Sequence, residues 1–450
     1  MKPLRSLCAF IAIAAVTSGG PLCAATDLPA VPTDPLISAM VAQVDAARLE
    51  ATDTKLVSFG TRNDFSETTS TSTHGVFGAR DWIAGEFRNI ALGSRGRLTV
   101  AFDDYVQEKT PRTPRSVKES SVIATLRGDE PGRTYVLSSH YDDCNGDCTN
   151  GTRVAPGADD NGSGVAAVLE AARIMAPSHF AGTIIFACFD GEELGLWGSG
   201  HFAKTLRAAN EPVAAVLNND IIGNSIGGDR LSEPGVVRVF SEALPSGALD
   251  ARVNAIGSEN DSPARELSRF IDATTPQYVP SMKVRQIYRA DRFLRGGDQE
   301  SFSAQGYAAI RFVEAHENFT HQHQDVRVTN GVQYGDLLPF NDWQYLARVT
   351  QVNIAALAAL ALGPAAPANA QLVTRRLGYD STLRWRRAPH ATSYEILWRS
   401  TDAPNWQFAR NVGNVTQATV PVSKDDYVLG VRAVDAAGRR SVASYPAPVR

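Results

Sequence analysis

Hydrophobic positions along this chain recur at two different periods. A helical period over 35–56, and again over 78–92 where Trp82, Ile83 and Phe87 share one face, predicts two helices. From residue 98 onward, short apolar runs at 98–106, 121–126, 134–139, 183–189, 213–217 and 308–313 read as strands. Between and after them, 164–175 is a helix rich in Ala, Val and Leu, and 343–362 is a long final helix. Several strand runs are apolar throughout rather than alternating, as strands buried on both faces are. The alternation predicts an α/β domain with a mostly parallel mixed sheet flanked by helices. The polar stretch 66–74 reads as a loop, and 223–300 is read as loops.

The pattern changes twice more. Residues 363–370 (GPAAPANA) form a small-residue, proline-containing linker. Beyond it, 371–450 carries short strands such as 394–399, 418–422 and 427–434 between turns, predicting a small all-β sandwich. At the other end, Lys2 and Arg5 precede an apolar run over 7–16 that is too short to anchor in a bilayer. Residues 1–25 therefore read as a signal peptide cleaved after Ala25, and the expected location is secreted or periplasmic. That leaves 26–362 for the α/β domain. No later segment has about 18 unbroken apolar residues, so no transmembrane segment is expected.

Composition adds exclusions. A hydrophobic share of 43% and a charged share of 20% belong to a globular chain with room for a large core. The net charge of -4 gives no basic face for nucleic acid. Export would leave three of the five cysteines. Cys144 and Cys148, close together in a glycine-bearing loop, are expected to form a disulfide rather than to ligate metal. Cys188 sits in an apolar run and reads as a buried thiol.

The chemistry-bearing residues gather where strands end. His140-Tyr141-Asp142 closes one strand; imidazole is a good zinc ligand, and Asp142, pointing the same way two residues on, can fix its tautomer. In PGADDNGSG (156–164) two adjacent acids lie in a glycine-rich turn opening into a helix. Capping accounts for Asn161 or Ser163 but leaves two like charges near the interior, so a cation is implied, with Asp159 suited to bridge two metals. Asp190-Gly191-Glu192-Glu193 follows another buried strand. A dinuclear hydrolase needs one carboxylate on a metal and a second, free one to take a proton from water; Glu193 and Glu192 fit these tasks in turn. Asp220 ends the next run as a further carboxylate ligand, and His321 and His323 follow the last strand. Nitrogen and oxygen donors together suit zinc.

These motifs, HYDD at 140–143, PGADDNGSG at 156–164, FDGEELGLWGS at 189–199 and LNND at 217–220, resemble the secreted co-catalytic zinc aminopeptidase family, related to bacterial leucyl aminopeptidase, glutamate carboxypeptidase and glutaminyl cyclase. The resemblance implies two Zn2+ per chain. His140 and Asp220 would hold one, Glu193 and a late histidine the other, with Asp159 bridging, Glu192 as base and Asp142 orienting His140. It places the last ligand at His321, which keeps the family's His-to-Asp interval to Asp325. The C-terminal strands resemble a fibronectin type III module, a possible surface or polymer contact. The implied activity is removal of N-terminal residues from peptides or proteins. A single-zinc glutaminyl cyclase, a carboxypeptidase of the same fold and a non-catalytic binding module are the alternatives.

Overall fold

In the computed structural model, which describes residues 28, 32–130, 132–244, 258, 260–375 and 377–450, one eight-stranded sheet organises the N-terminal part of the chain. The expected signal peptide, 1–25, lies outside the described residues. The strands are β1 (Leu98–Gln107), β2 (Val117–Leu126), β3 (Thr134–His140), β4 (Thr183–Phe189), β5 (Val213–Asn219), β6 (Val236–Ser241), β7 (Lys283–Ile287) and β8 (Ala309–Glu314). Their order is β1-β2-β4-β3-β5-β8-β6-β7. The central four, β4, β3, β5 and β8, run parallel, while β1 and β2 on one side and β6 on the other introduce antiparallel pairings. The expected mostly parallel mixed sheet is therefore present. Its four central strands deliver their carboxyl ends to a single edge, where open α/β sheets build their sites.

Helices cover both faces. The period over 35–56 resolves into two, α1 (Pro35–Val41) and α2 (Ala46–Val57), because Asp45 caps a fresh start by accepting from the Ala47 amide. Then follow α3 (Val76–Leu92), α4 (Gly164–Met175) and α5 (Trp197–Ala208). The stretch 223–300, expected as loops, instead contributes β6, β7 and the helix α6 (Pro263–Tyr278) among its described residues. Helix α6 does carry a helical period, with Ala264, Leu267 and Ile271 buried on one face, and β6 is apolar at Val236, Val237, Val239 and Phe240, so the loop reading passed over a pattern the sequence holds. After α7 (Gln299–Ser303) comes a small hairpin, β9 (Arg327–Thr329) with β10 (Val332–Tyr334). The last helix, α8 (Trp343–Leu362), is long and apolar enough to cross a bilayer, yet Leu346, Val349, Ile354 and Leu357 are buried in the main core beside Val165 and Val168 of α4.

Beyond α8 two small sheets face each other. One comprises β11 (Ala368–Val373), β12 (Ser381–Arg386), β15 (Gln417–Val420) and β17 (Ala447–Val449); the other comprises β13 (Ser393–Ser400), β14 (Phe408–Gly413) and β16 (Tyr427–Val434). Leu383, Trp385, Tyr394, Ile396 and Val431 fill the space between them. The sandwich is seated on α6: the Trp406 indole donates to Glu266 at 3.1 Å, and Arg399 pairs with Asp261. Cys144 and Cys148 are joined in a disulfide, and Cys188 is a buried free thiol.

Candidate metal centre

Three of the four central strands, β3, β4 and β5, bring side chains to the carboxyl edge. His140 is the last residue of β3 and is fully buried; its Nδ1 lies 3.4 Å from Asp142 Oδ1, which leaves Nε2 facing outward. Asp142 Oδ2 accepts from the Glu193 amide at 3.0 Å, so one carboxylate braces both the histidine and the turn after β4. That turn needs Gly191, at φ 70°, where any Cβ would come within 2.7 Å of Glu119 Oε2. It aims Glu192 Oε2 to 4.0 Å from His140 Nε2 and Glu193 Oε2 to 2.8 Å from His323 Nε2. Asp220, just past β5, places Oδ1 3.7 Å from His140 Nε2.

Two expected members are replaced by near neighbours. Asp160, not Asp159, lies between the imidazoles, with Oδ1 3.3 Å from His140 Nε2 and Oδ2 3.1 Å from His323 Nε2. Adjacent residues in the tight turn Ala158–Ser163 face opposite sides, and Asp159 faces the core. There it accepts from the Gly223 amide at 2.7 Å and pairs with Glu314, whose burial and whose neighbour Asp159 push its carboxyl well above the usual range. The two carboxyls thus share a proton instead of demanding a cation.

His321 likewise lies apart from the cluster. Its ring stacks on Phe340 with centroids 3.7 Å apart, and burial lowers its pKa to about 4. The interval from His321 to Asp325 carries no structural weight, because Asp325 is exposed and pairs with Arg153 at 3.2 Å. His323, at φ 50°, reverses the loop and returns its ring over Asp160 and Glu193.

Supports that the motif reading missed hold the aspartate turn from behind. Asp336 accepts from the amides of Asp159 at 2.9 Å and Asp160 at 2.7 Å, and burial followed by repulsion from Asp159 raises its own pKa to about 8. Arg62, fully buried, donates to the carbonyls of Tyr141, Pro156 and Gly157 at 2.7, 2.7 and 2.8 Å, tying the His140 strand end to the aspartate turn. Asn161 bonds the Asn219 carbonyl at 2.9 Å and accepts from Gly164 at the start of α4. No local pattern marks Arg62 or Asp336; both act across more than 70 residues of sequence.

The arrangement fits a metal. The donor atoms of His140, Asp160 and Glu193, and those of His140, Glu192 and Asp220, lie within 4.8 Å of one another. His140 Nε2 and Glu193 Oε1 are buried without a hydrogen-bond partner, as atoms suited to ligate a metal are. Burial pushes the Glu192 and Glu193 carboxyls up. Burial alone would raise Asp160 and lower His140, but the imidazoles hold the Asp160 carboxyl well down, and the Glu192 charge with three carboxylate contacts holds His140 well up. Imidazole with carboxylate is a donor set for zinc.

Comparison with known proteins agrees. The model of Peptidase family M28 matches residues 121–330. Probable zinc metalloproteases of Leptosphaeria maculans (46% identical, over 92% of this chain and 97% of that one) and Pyricularia oryzae (45%, over 92% and 84%) are similar over nearly the whole length. Among solved structures, the LapA aminopeptidase of Legionella pneumophila superposes with a TM-score of 0.52 at 20% identity, covering 74% of this chain and 77% of that one, a likeness of fold. The chain belongs to peptidase family M28 and is a hydrolase of the zinc metalloprotease kind.

Proposed function

We propose that this chain is an exported aminopeptidase carrying two zinc ions. His140 and Asp220 would hold one, Glu193 and His323 the other, and Asp160 would bridge them. The observation that carries the reading is the position of Asp160, with one oxygen toward each imidazole. Zinc bound there supplies a Lewis acid for the scissile carbonyl and acidifies water.

The protein's own part falls chiefly to Glu192. It is the carboxylate at the centre with no histidine closer than 4.0 Å, so it is free to take a proton from the attacking water and return it to the departing amine. Asp142 keeps His140 in one tautomer and, through the Glu193 amide, keeps Glu192 and Glu193 pointing to separate tasks. The acid-rich edge gives a substrate's free α-ammonium a favourable place beside the scissile bond. Residues 1–25 serve as the export signal, and the sandwich, whose first strand β11 begins at Ala368 inside the expected linker 363–370, forms a fibronectin type III-like module.

A panel of amino-acid anilides with N-acetylated controls, run alongside metal analysis, tests the reading. Turnover confined to free amines, with two zincs per chain, is the expected result. Equal turnover of blocked substrates removes the aminopeptidase assignment, and release of ammonia from N-terminal glutamine by a one-zinc protein replaces it with a cyclase.

A further inference from the structure

The donor oxygens at this centre are not equally free. Arg311, on β8, is completely buried, and its Nη2 lies 2.9 Å from Asp220 Oδ1. That oxygen is the one 3.7 Å from His140 Nε2. Among the described residues, Asp160 and Glu193 by contrast pair with histidines only. One half of the centre therefore shares a ligand oxygen with a fixed guanidinium, and the other half does not.

The guanidinium is held in place. Its Nη1 lies 3.0 Å from Asp291 Oδ2 and donates to the Gly296 carbonyl at 2.5 Å. Asp291 is itself fixed by Gln299 Nε2 at 2.6 Å. Gly297 packs so closely that a Cβ there would stand 2.9 Å from Arg311 Nη1. Arg311 can neither swing away nor lose its charge when a cation arrives.

Resting on the two-zinc reading, we propose that Arg311, by its fixed charge on Asp220, sets the affinity of the His140–Asp220 half below that of the Glu193–His323 half. An oxygen already paired with a guanidinium offers less electron density to a metal, and the fixed positive charge repels a divalent cation in the low-dielectric interior. The two halves then fill in order, the Glu193–His323 half first. Asp291 tempers the effect by drawing part of the guanidinium charge away from Asp220.

The test is calorimetric titration of the metal-stripped full-length protein with zinc, with zinc counted per chain after dialysis. Arg311→Gln/Asp291→Asn removes both charges together; Asp291→Asn alone leaves Arg311 to act on Asp220 undivided; Arg311→Lys keeps the charge. The weaker binding event should tighten at least tenfold in the double variant, loosen at least threefold in Asp291→Asn and stay within threefold in Arg311→Lys, while the tighter event moves less than threefold throughout. A wild type holding one zinc beside a double variant holding two would also uphold the role of Arg311, while overturning the two-zinc resting state. Two zincs in the wild type with a weaker event that moves in neither charge-changing variant overturns the role of Arg311 and leaves the two-zinc reading standing. One zinc in every protein overturns both. If the double variant does not fold, Asp291→Asn decides: loosening upholds the proposal and an unchanged weaker event overturns it.

Discussion

Asp160 Oδ2 lies 3.1 Å from Nε2 of His323, although 163 residues separate the two along the chain. The neighbouring Asp159 is instead engaged by the Gly223 amide and the Glu314 carboxyl, on the side away from the histidines. Asp160→Ala should therefore remove at least one zinc per chain and abolish measurable turnover. Asp159→Asn keeps a polar group for Gly223 and should retain both zincs, with kcat/KM lowered by no more than about 10- to 100-fold, the range for groups that support ligands from behind. Metal counts on the two variants decide; zinc loss in Asp159→Asn alone would restore Asp159 as the bridge.

The two histidines of the late loop separate in the same way. His323→Ala deletes a group 2.8 Å from Glu193 and should cost the zinc of that half. His321→Ala deletes a ring stacked on Phe340 and should cost about 1 kcal/mol of stability with the metal content intact. Zinc analysis paired with thermal unfolding reads both. A His321→Ala protein that unfolds as the wild type does but lacks zinc reverses the assignment.

The two substitutions mark where the sequence could and could not be read. His140, Glu192, Glu193 and Asp220 were legible because each ends a buried apolar run, and parallel strands bring such ends to one edge. Asp159 and Asp160 differ by one position in a turn, and which of them faces the metal depends on Asp336, Gly223 and Glu314, all brought in from elsewhere in the chain. The interval from His321 to Asp325 misled because Asp325 turned out to pair with Arg153. In 223–300 the elements also take their order from neighbours: β6 pairs with β8 and β7, and α6 packs against α8 and these strands, with Glu266 bonded to Trp406 of the sandwich. Within that stretch Arg285 pairs with Glu233 and Arg292 with Glu317, so both serve the local framework.

Glu192→Gln is the direct probe of proton transfer. The amide keeps the volume and one acceptor but cannot carry a proton from water to amine. Since Asp160, Glu193, Asp220 and both histidines are untouched, zinc content should stay at the wild-type level. kcat should fall about 10²- to 10⁴-fold, the share general acid–base catalysis commonly supplies, with KM little changed. Undiminished kcat would exclude Glu192 as the base.

The C-terminal sandwich offers a pH-dependent prediction independent of the metal. Glu395 on β13 lies 2.7 Å from Arg432 Nε and 3.0 Å from Arg440 Nε, with a side chain only 4% exposed. Burial pushes its carboxyl up, but the bonds from Arg440 and the charge of Arg432 outweigh burial and hold it below the ordinary 4.5. The unfolded chain takes up the proton first as pH falls. The pairing therefore stabilises the fold above about pH 4.5, and that stabilisation fades as pH drops through the lower folded value. Glu395→Gln leaves two half-buried guanidiniums without this anion and should cost about 2 kcal/mol at pH 7, between an exposed and a fully buried pair. At pH 3 the wild type has itself lost part of the charge pairing, so the gap between the two thermal midpoints should narrow. Other carboxylates titrate alike in both proteins and cancel in that difference. A gap that stays constant from pH 7 to pH 3 would show that Glu395 works through packing, with no contribution from its charge.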